Sequence, residues 1–142
     1  MTRSELRVFS ARMDSLQQAL GFVQAFCEAH AVDPGDVLRL TLVVEELFTN
    51  VVMHGHRGDA DAPVRLQLGV AATQVLLRFE DNAPAFDPLR YLADAGPRLD
   101  AKPEERPVGG LGLPLVAEMA ERFEYAHVDG FNCLQLVLSR SA

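Results

Sequence analysis

Glu46 and Asn50 lie four residues apart in a stretch that reads as a helix, so they project from one face, one turn above the other. Their surroundings are almost wholly apolar: Val37, Leu38, Leu40, Leu42, Val43, Val44, Leu47, Val51 and Val52. A carboxylate and an amide buried there without partners would cost about 1–3 kcal/mol or more each. A ligand, a metal ion or water could supply those partners, and Met53-His54-Gly55 closes the helix just beyond. The alternative is that both residues sit on the polar stripe of an amphipathic helix. Glu45 points elsewhere on that helix, to solvent or an interface. His54 and His56 suit a helix C-terminus, where an imidazolium is favourable against the helix dipole.

Two further patches carry residue types suited to ligand chemistry. Asp81 follows the apolar run Val75–Glu80, and a carboxylate at a strand end is placed to accept a hydrogen bond from an exocyclic amine. Asp81-Asn82 equally fits a turn in which the aspartate satisfies its own backbone. Gly109, Gly110 and Gly112, within Gly109-Gly110-Leu111-Gly112-Leu113, precede a first-turn proline, Pro114. Backbone N–H groups at a helix start, with no side chains in the way, form a natural phosphate cradle. A flexible loop end before a helix would look the same.

Composition narrows the classes. With 142 residues the chain has the size of one domain, enough to bury roughly two thirds of its unfolded surface. It is 49% hydrophobic and 23% charged, with 13 basic against 20 acidic residues and a formal charge of -7. No Lys/Arg run could form a basic patch, which argues against direct nucleic-acid binding. The single lysine, Lys102, has no glycine-rich loop before it, so a P-loop is excluded. Cys27 and Cys133 lack a metal-binding spacing and read as reduced core thiols. No apolar run approaches the roughly 18 residues of a membrane span, and the N-terminus has no signal-peptide core. The expectation is a soluble, cytoplasmic protein without a membrane partner.

The elements that must position these patches are legible in outline. Leu6–Ser10 alternates as a strand, and Asp14–Ala29 has helical periodicity. Asp33-Pro34 supplies an N-cap and first-turn proline for a second helix reaching about Met53. Strands follow at Val64–Val70 and Gln74–Glu80. Six of the eight prolines then fall between Pro84 and Pro114, and 94–107 is polar and aperiodic, the texture of a functional lid. A helix opening at the glycines runs to about Glu121, and strands Glu124–Val128 and Cys133–Leu138 meet at an Asp129-Gly130 turn. This order predicts an α/β fold: a two-layer sandwich of helices on a mixed, mainly antiparallel sheet.

Together, Val44-Glu45-Glu46-Leu47-Phe48-Thr49-Asn50 with His54-Gly55, Asp81 to Pro88 with Phe86-Asp87-Pro88, and Gly109 to Leu113 resemble three nucleotide-binding boxes. These are the boxes of the Bergerat-type ATP-binding fold shared by gyrase, Hsp-type chaperones, histidine kinases and MutL, the GHKL superfamily. Within it, the chain most resembles the small anti-sigma factor serine/threonine-protein kinases of bacterial partner-switching modules, over nearly its whole length.

That resemblance implies one domain over residues 1–142, with an ATP lid at about 88–108, and ATP and Mg²⁺ as cofactors. It implies Glu46 as the general base and Asn50 as the metal ligand. The nucleotide would be bound by Asn50, Asp81, Ala83, Phe86, Arg106, Gly109, Gly110, Leu111, Gly112 and Leu113. Asp81 would read the adenine amino group. Ala83 stands where the family carries its first glycine, Arg98 is the other candidate for the lid arginine, and a small polar residue beneath the base would be Asn132 or Cys133. The implied substrate is a small STAS-type anti-sigma factor antagonist, the alternative partner a sigma factor or similar regulator, and a homodimer fits the family. A module that works only by sequestering a partner is the other reading. The catalytic half of a two-component histidine kinase would need a dimerising helical hairpin, for which 142 residues leave no room.

Overall fold

The computed structural model describes residues 3–95 and 112–141. Five strands form one sheet: β1 (Arg3–Ser10), β2 (Pro63–Val70), β3 (Gln74–Asp81), β4 (Arg122–Val128) and β5 (Phe131–Ser139). Their order is β1-β2-β3-β5-β4, and all four pairings are antiparallel. Alternation decides the faces, since successive side chains point to opposite sides. Val64, Leu66, Leu68 and Val70 of β2 share the inner face with Val75, Leu77 and Phe79 of β3 and Leu134, Leu136 and Leu138 of β5, and all are buried.

The helices cover that face alone. A 3-10 turn (Met13–Ser15) leads into α1 (Leu16–Ala29), followed by α2 (Pro34–Asn50), which continues into a π-helical turn (Val51–Gly55). α1 contributes Leu16, Ala19, Phe22, Val23, Phe26 and Cys27 to the core, and α2 contributes Leu40, Val43, Val44, Leu47 and Phe48. Asp33 caps α2, its carboxylate accepting from Gly35 N at 3.2 Å, as the Asp-Pro pair predicts. The sheet's other face carries charge: Arg65 and Arg78 both reach Glu80, at 3.2 and 3.0 Å. The two-layer α/β sandwich expected from the sequence is thus observed. Among the described residues no helix is long and apolar enough to cross a membrane.

Two elements follow the proline-rich stretch. α3 (Pro88–Ala95) falls inside the region read from sequence as an irregular lid, and α4 (Gly112–Met119) begins at the last glycine of the Gly109–Leu113 patch. α3 has the device that starts α2: Asp87 Oδ1 accepts from Leu89 N at 2.9 Å and Arg90 N at 3.3 Å, with Pro88 in the first turn. α4 buries Leu113 and Val116 against the core and packs on α2.

The C-terminus fastens the helical layer to the far end of the sheet. Asp36 of α2 is buried, pairs with Arg39 and accepts from Ser141 N at 2.7 Å. Arg140 donates to the carbonyls of Ala71 and His30, each at 2.9 Å.

Candidate functional site

A cavity of about 410 Å³ opens between the end of α2 with its π turn, the Asp81–Phe86 segment, α3, and the β5 residues Asn132 and Leu134. Of the side chains the sequence points to, Asn50, Asp81, Ala83, Phe86 and Leu113 line it. Glu46 and Gly112 lie together beside it, outside its lining. Arg106, Arg98, Gly109, Gly110 and Leu111 are outside the described residues.

The floor of the cavity is set by strand register. Asp81 is the last residue of β3 and pairs with Asn132 of β5, which pairs in turn with His127 of β4. Asp81 is only 3% exposed. Its Oδ1 accepts from Ala83 N at 3.0 Å and from Asn132 Nδ2 at 3.1 Å. The turn-aspartate role and the ligand-reading role are therefore compatible: one oxygen closes the turn, and Oδ2 makes no hydrogen bond among the described residues. Burial pushes the Asp81 carboxyl above its ordinary range, against the opposing effect of its Asn132 and Ala83 hydrogen bonds.

Asn132 is bonded throughout. Its amide nitrogen also donates to the carbonyls of Ala83 at 3.1 Å and Pro84 at 3.2 Å, while Oδ1 accepts from Phe86 N at 3.0 Å and from the Tyr125 hydroxyl at 2.7 Å. The sequence left Asn132 and Cys133 as alternatives, and the register separates them. Asn132 faces the cavity, whereas Cys133 lies on the opposite face of the sheet, beside Arg65, Glu80 and Phe131. Both cysteines are free and buried, and burial raises both thiols, that of Cys27 to about 11.

Ala83 occupies a position made for it. A Cβ built on Gly55 would stand 2.9 Å from the Ala83 methyl, so the missing side chain at Gly55 admits the one present at Ala83. The π turn brings the two together, with His56 N donating to Val51 O at 2.8 Å. Phe86 is half exposed at the cavity rim, its ring 5.6 Å from that of Tyr91. The exposed Phe86 face and its neighbour offer an aromatic wall for a planar ligand.

At the α2 end the polar groups lack partners. Glu46 Oε1 and Asn50 Nδ2 are buried and make no hydrogen bond among the described residues. A Cβ at Gly112 would overlap the Glu46 carboxylate, so that carboxylate lies directly against the glycine backbone at the start of α4. Burial raises the Glu46 carboxyl, with the neighbouring Asn50 amide opposing and Glu45 adding to the shift. Glu45 itself is exposed, as expected. Among the described residues no cluster of three or more His, Cys, Asp or Glu side chains could hold a metal alone.

Tyr91, Tyr125, Arg57 and the π turn were not singled out from the sequence. Asp87-Pro88 carried the signal for α3 and hence for Tyr91, since the same pair was read correctly at Asp33-Pro34. Tyr125 had no local signal, because its role depends on a register that sequence pattern does not give.

The two-layer sandwich carries a cavity lined by a strand-end aspartate, Asp81, and a helix-borne amide, Asn50, with Glu46 beside it. The family model for the histidine kinase-like ATPase domain matches residues 9–138, and the chain belongs to that family. It is 32% identical over 97 residues to the serine/threonine-protein kinase BtrW of Bordetella bronchiseptica, covering 68% of this chain and 66% of that protein. It is 26% identical over 94 residues to the serine-protein kinase RsbW of Listeria innocua, covering 66% of this chain and 60% of that protein. The chain thus spans just under two thirds of the length of these curated relatives. Among solved structures it resembles the RsbU and RsbW domains of Rv1364c from Mycobacterium tuberculosis, with a TM-score of 0.65 and 15% identity, over 99% of this chain and 34% of that one. The nucleotide-free catalytic domain of histidine kinase ThkA matches with a TM-score of 0.52 and 11% identity, over 96% of this chain and 97% of that one. These two likenesses bear on the fold.

Proposed function

We propose that this protein is an ATP- and Mg²⁺-dependent serine kinase that phosphorylates a small anti-sigma factor antagonist and sequesters a sigma factor or similar regulator. The observation that carries the reading is Asp81: a buried carboxylate with one oxygen bonded twice and the other without a hydrogen bond among the described residues, in a cavity that Asn50 also lines. Such a carboxylate selects a ligand that presents a donor, as the amino group of adenine does. The serine-kinase names of the curated relatives support the activity.

The residues fit the cofactors. Asn50, which lines the cavity, offers an amide oxygen; Mg²⁺ prefers such hard ligands and completes its shell from phosphates and water. Bound there, the ion would neutralise phosphate charge. Phe86 and Tyr91 would flank the base, and Gly112 with Leu113 would present backbone N–H groups to the phosphates. Glu46, once clear of Gly112, would accept the seryl proton as the hydroxyl oxygen attacks the terminal phosphorus and ADP leaves. Arg106, Gly109, Gly110 and Leu111 would complete the lid side.

A second reading, a module that acts by sequestration alone, draws on one observation: the Glu46 carboxylate lies beneath Gly112 and outside the cavity lining. Calorimetric titration of ATP and ADP with Mg²⁺ into the wild type, Asn50→Ala and Asp81→Asn tests the site. Wild-type binding weakened about 10- to 100-fold in Asp81→Asn, the loss expected for a hydrogen bond to a charged group, supports it. No binding by the wild type would sink the kinase reading. Binding by the wild type without transfer to any serine-bearing antagonist would favour sequestration.

A further inference from the structure

Tyr125 is on β4, one strand beyond Asn132, and half-buried. Its hydroxyl makes the shortest hydrogen bond of the network around Asp81, 2.7 Å to Asn132 Oδ1. The orientation of the Asn132 amide follows from its partners. Phe86 N can only donate, so it must face the amide oxygen, and the carbonyls of Ala83 and Pro84 can only accept, so they must face the amide nitrogen. The Tyr125 hydroxyl, facing the same Oδ1, must therefore donate. Asn132 has then committed both sides of its amide to the protein.

Two consequences reach the cavity. With Asn132 Nδ2 and Ala83 N both directed at Oδ1, Asp81 turns its other oxygen to the ligand. The same amide holds the backbone from Ala83 to Phe86, so the aromatic wall and the acceptor at the floor are set by one side chain. The hydroxyl that steadies that side chain comes from a residue absent from the cavity lining.

We propose that Tyr125 is a positioning residue for base selection, acting through Asn132 to fix Asp81 as an acceptor, and that the Tyr125–Asn132–Asp81 chain decides the preference for a 6-amino over a 6-oxo purine nucleotide. This rests on the proposed nucleotide-binding function. The ligand edge that the arrangement rewards is a donor. A 6-oxo purine presents a carbonyl there, which would meet the carboxylate oxygen with no proton between them. Holding Asp81 and the Phe86 wall in one geometry makes the mismatch count, because a mobile carboxylate could turn away from it.

The test is paired titration of ATP and GTP, each with Mg²⁺, into the wild type, Tyr125→Phe and Asn132→Leu, with the nucleotide-free melting temperature measured alongside. Tyr125→Phe removes one hydrogen bond and little volume, and the ATP-over-GTP affinity ratio should fall about three- to tenfold, the size of one such bond. Asn132→Leu, if it folds, should remove most of the preference. A Tyr125→Phe protein that melts earlier but keeps the wild-type ratio would show a merely structural role and overturn the proposal. A wild type that binds ATP and GTP equally would overturn it while leaving nucleotide binding standing. A wild type that binds neither would overturn the functional reading and the proposal with it.

Discussion

At the β3–β5 end of the cavity Asn132 uses its whole amide: its two N–H are shared among Asp81, Ala83 and Pro84, and its oxygen accepts from Phe86 N and the Tyr125 hydroxyl. At the α2 end, Glu46 Oε1 and Asn50 Nδ2 are buried with no partner among the described residues. Both ends place polar groups in apolar surroundings, and they treat the cost in opposite ways. A finished network needs nothing more and can hold a geometry before any ligand arrives. An unfinished one stores the desolvation penalty and releases it when a ligand supplies the missing contacts. In the proposed function the difference matches what each end would meet. A base has a fixed pattern of donors and acceptors that a prebuilt floor can read, whereas phosphates, a metal ion and a seryl group arrive and leave during a reaction.

The largest expected effect separates the two ends by stability alone. Asn132→Leu strands Phe86 N, the Tyr125 hydroxyl and the Ala83 and Pro84 carbonyls, removes one donor to Asp81, and should cost on the order of 3 kcal/mol. Asn50→Leu removes an amide whose nitrogen has no partner among the described residues, and should be neutral or stabilising in the nucleotide-free protein. Urea unfolding of both variants checks this, and equal losses would erase the distinction.

Gly112→Ala sharpens the same comparison at its unfinished end. The new methyl would collide with the Glu46 carboxylate, and overpacking of this kind costs about 1–3 kcal/mol. If that contact is the cause, Glu46→Ala should remove most of the penalty, so that the double-mutant cycle shows strong coupling. Additive losses would mean that Glu46 and Gly112 do not touch.

How far the sequence could foresee this contrast depends on the range of each interaction. Capping by Asp33 and the alternation of β2, β3 and β5 are local and were readable, and they yield the sandwich and its inner face. Glu46/Asn50 and Asp81 stand out in the sequence because helical spacing and a strand end are also local features. The finished network was not, since Asn132 and Tyr125 reach Asp81 across register pairs, with 51 residues separating Asp81 from Asn132. Ala83 makes the same point. Beside a family pattern it reads as a departure, and only the fold brings Gly55 against it. α3 is a different case: Asp87-Pro88 was a legible start, hidden by the prolines around it.

The smallest effect concerns the charge on Glu46. Burial raises its carboxyl above the ordinary 4.5, which is also close to its value in the unfolded chain. Between those two values the folded protein holds a proton that the unfolded chain has released, so this group's contribution to stability falls as pH rises through the window. Above the raised value the desolvation penalty of the carboxylate, whose Oε1 has no partner among the described residues, is fully present. Glu46→Gln removes it, and near pH 7 the variant should melt higher than the wild type, by on the order of 3 °C. The advantage should shrink as pH drops through the folded value of Glu46 and vanish near the unfolded one. Asp81 is raised by burial too and imposes a slope of the same sign on both proteins, so the difference between their melting curves, followed by calorimetry across this range, isolates Glu46. A difference that does not change with pH would mean that the Glu46 carboxylate is solvated, and the α2 end would then hold no stored penalty for a ligand to relieve.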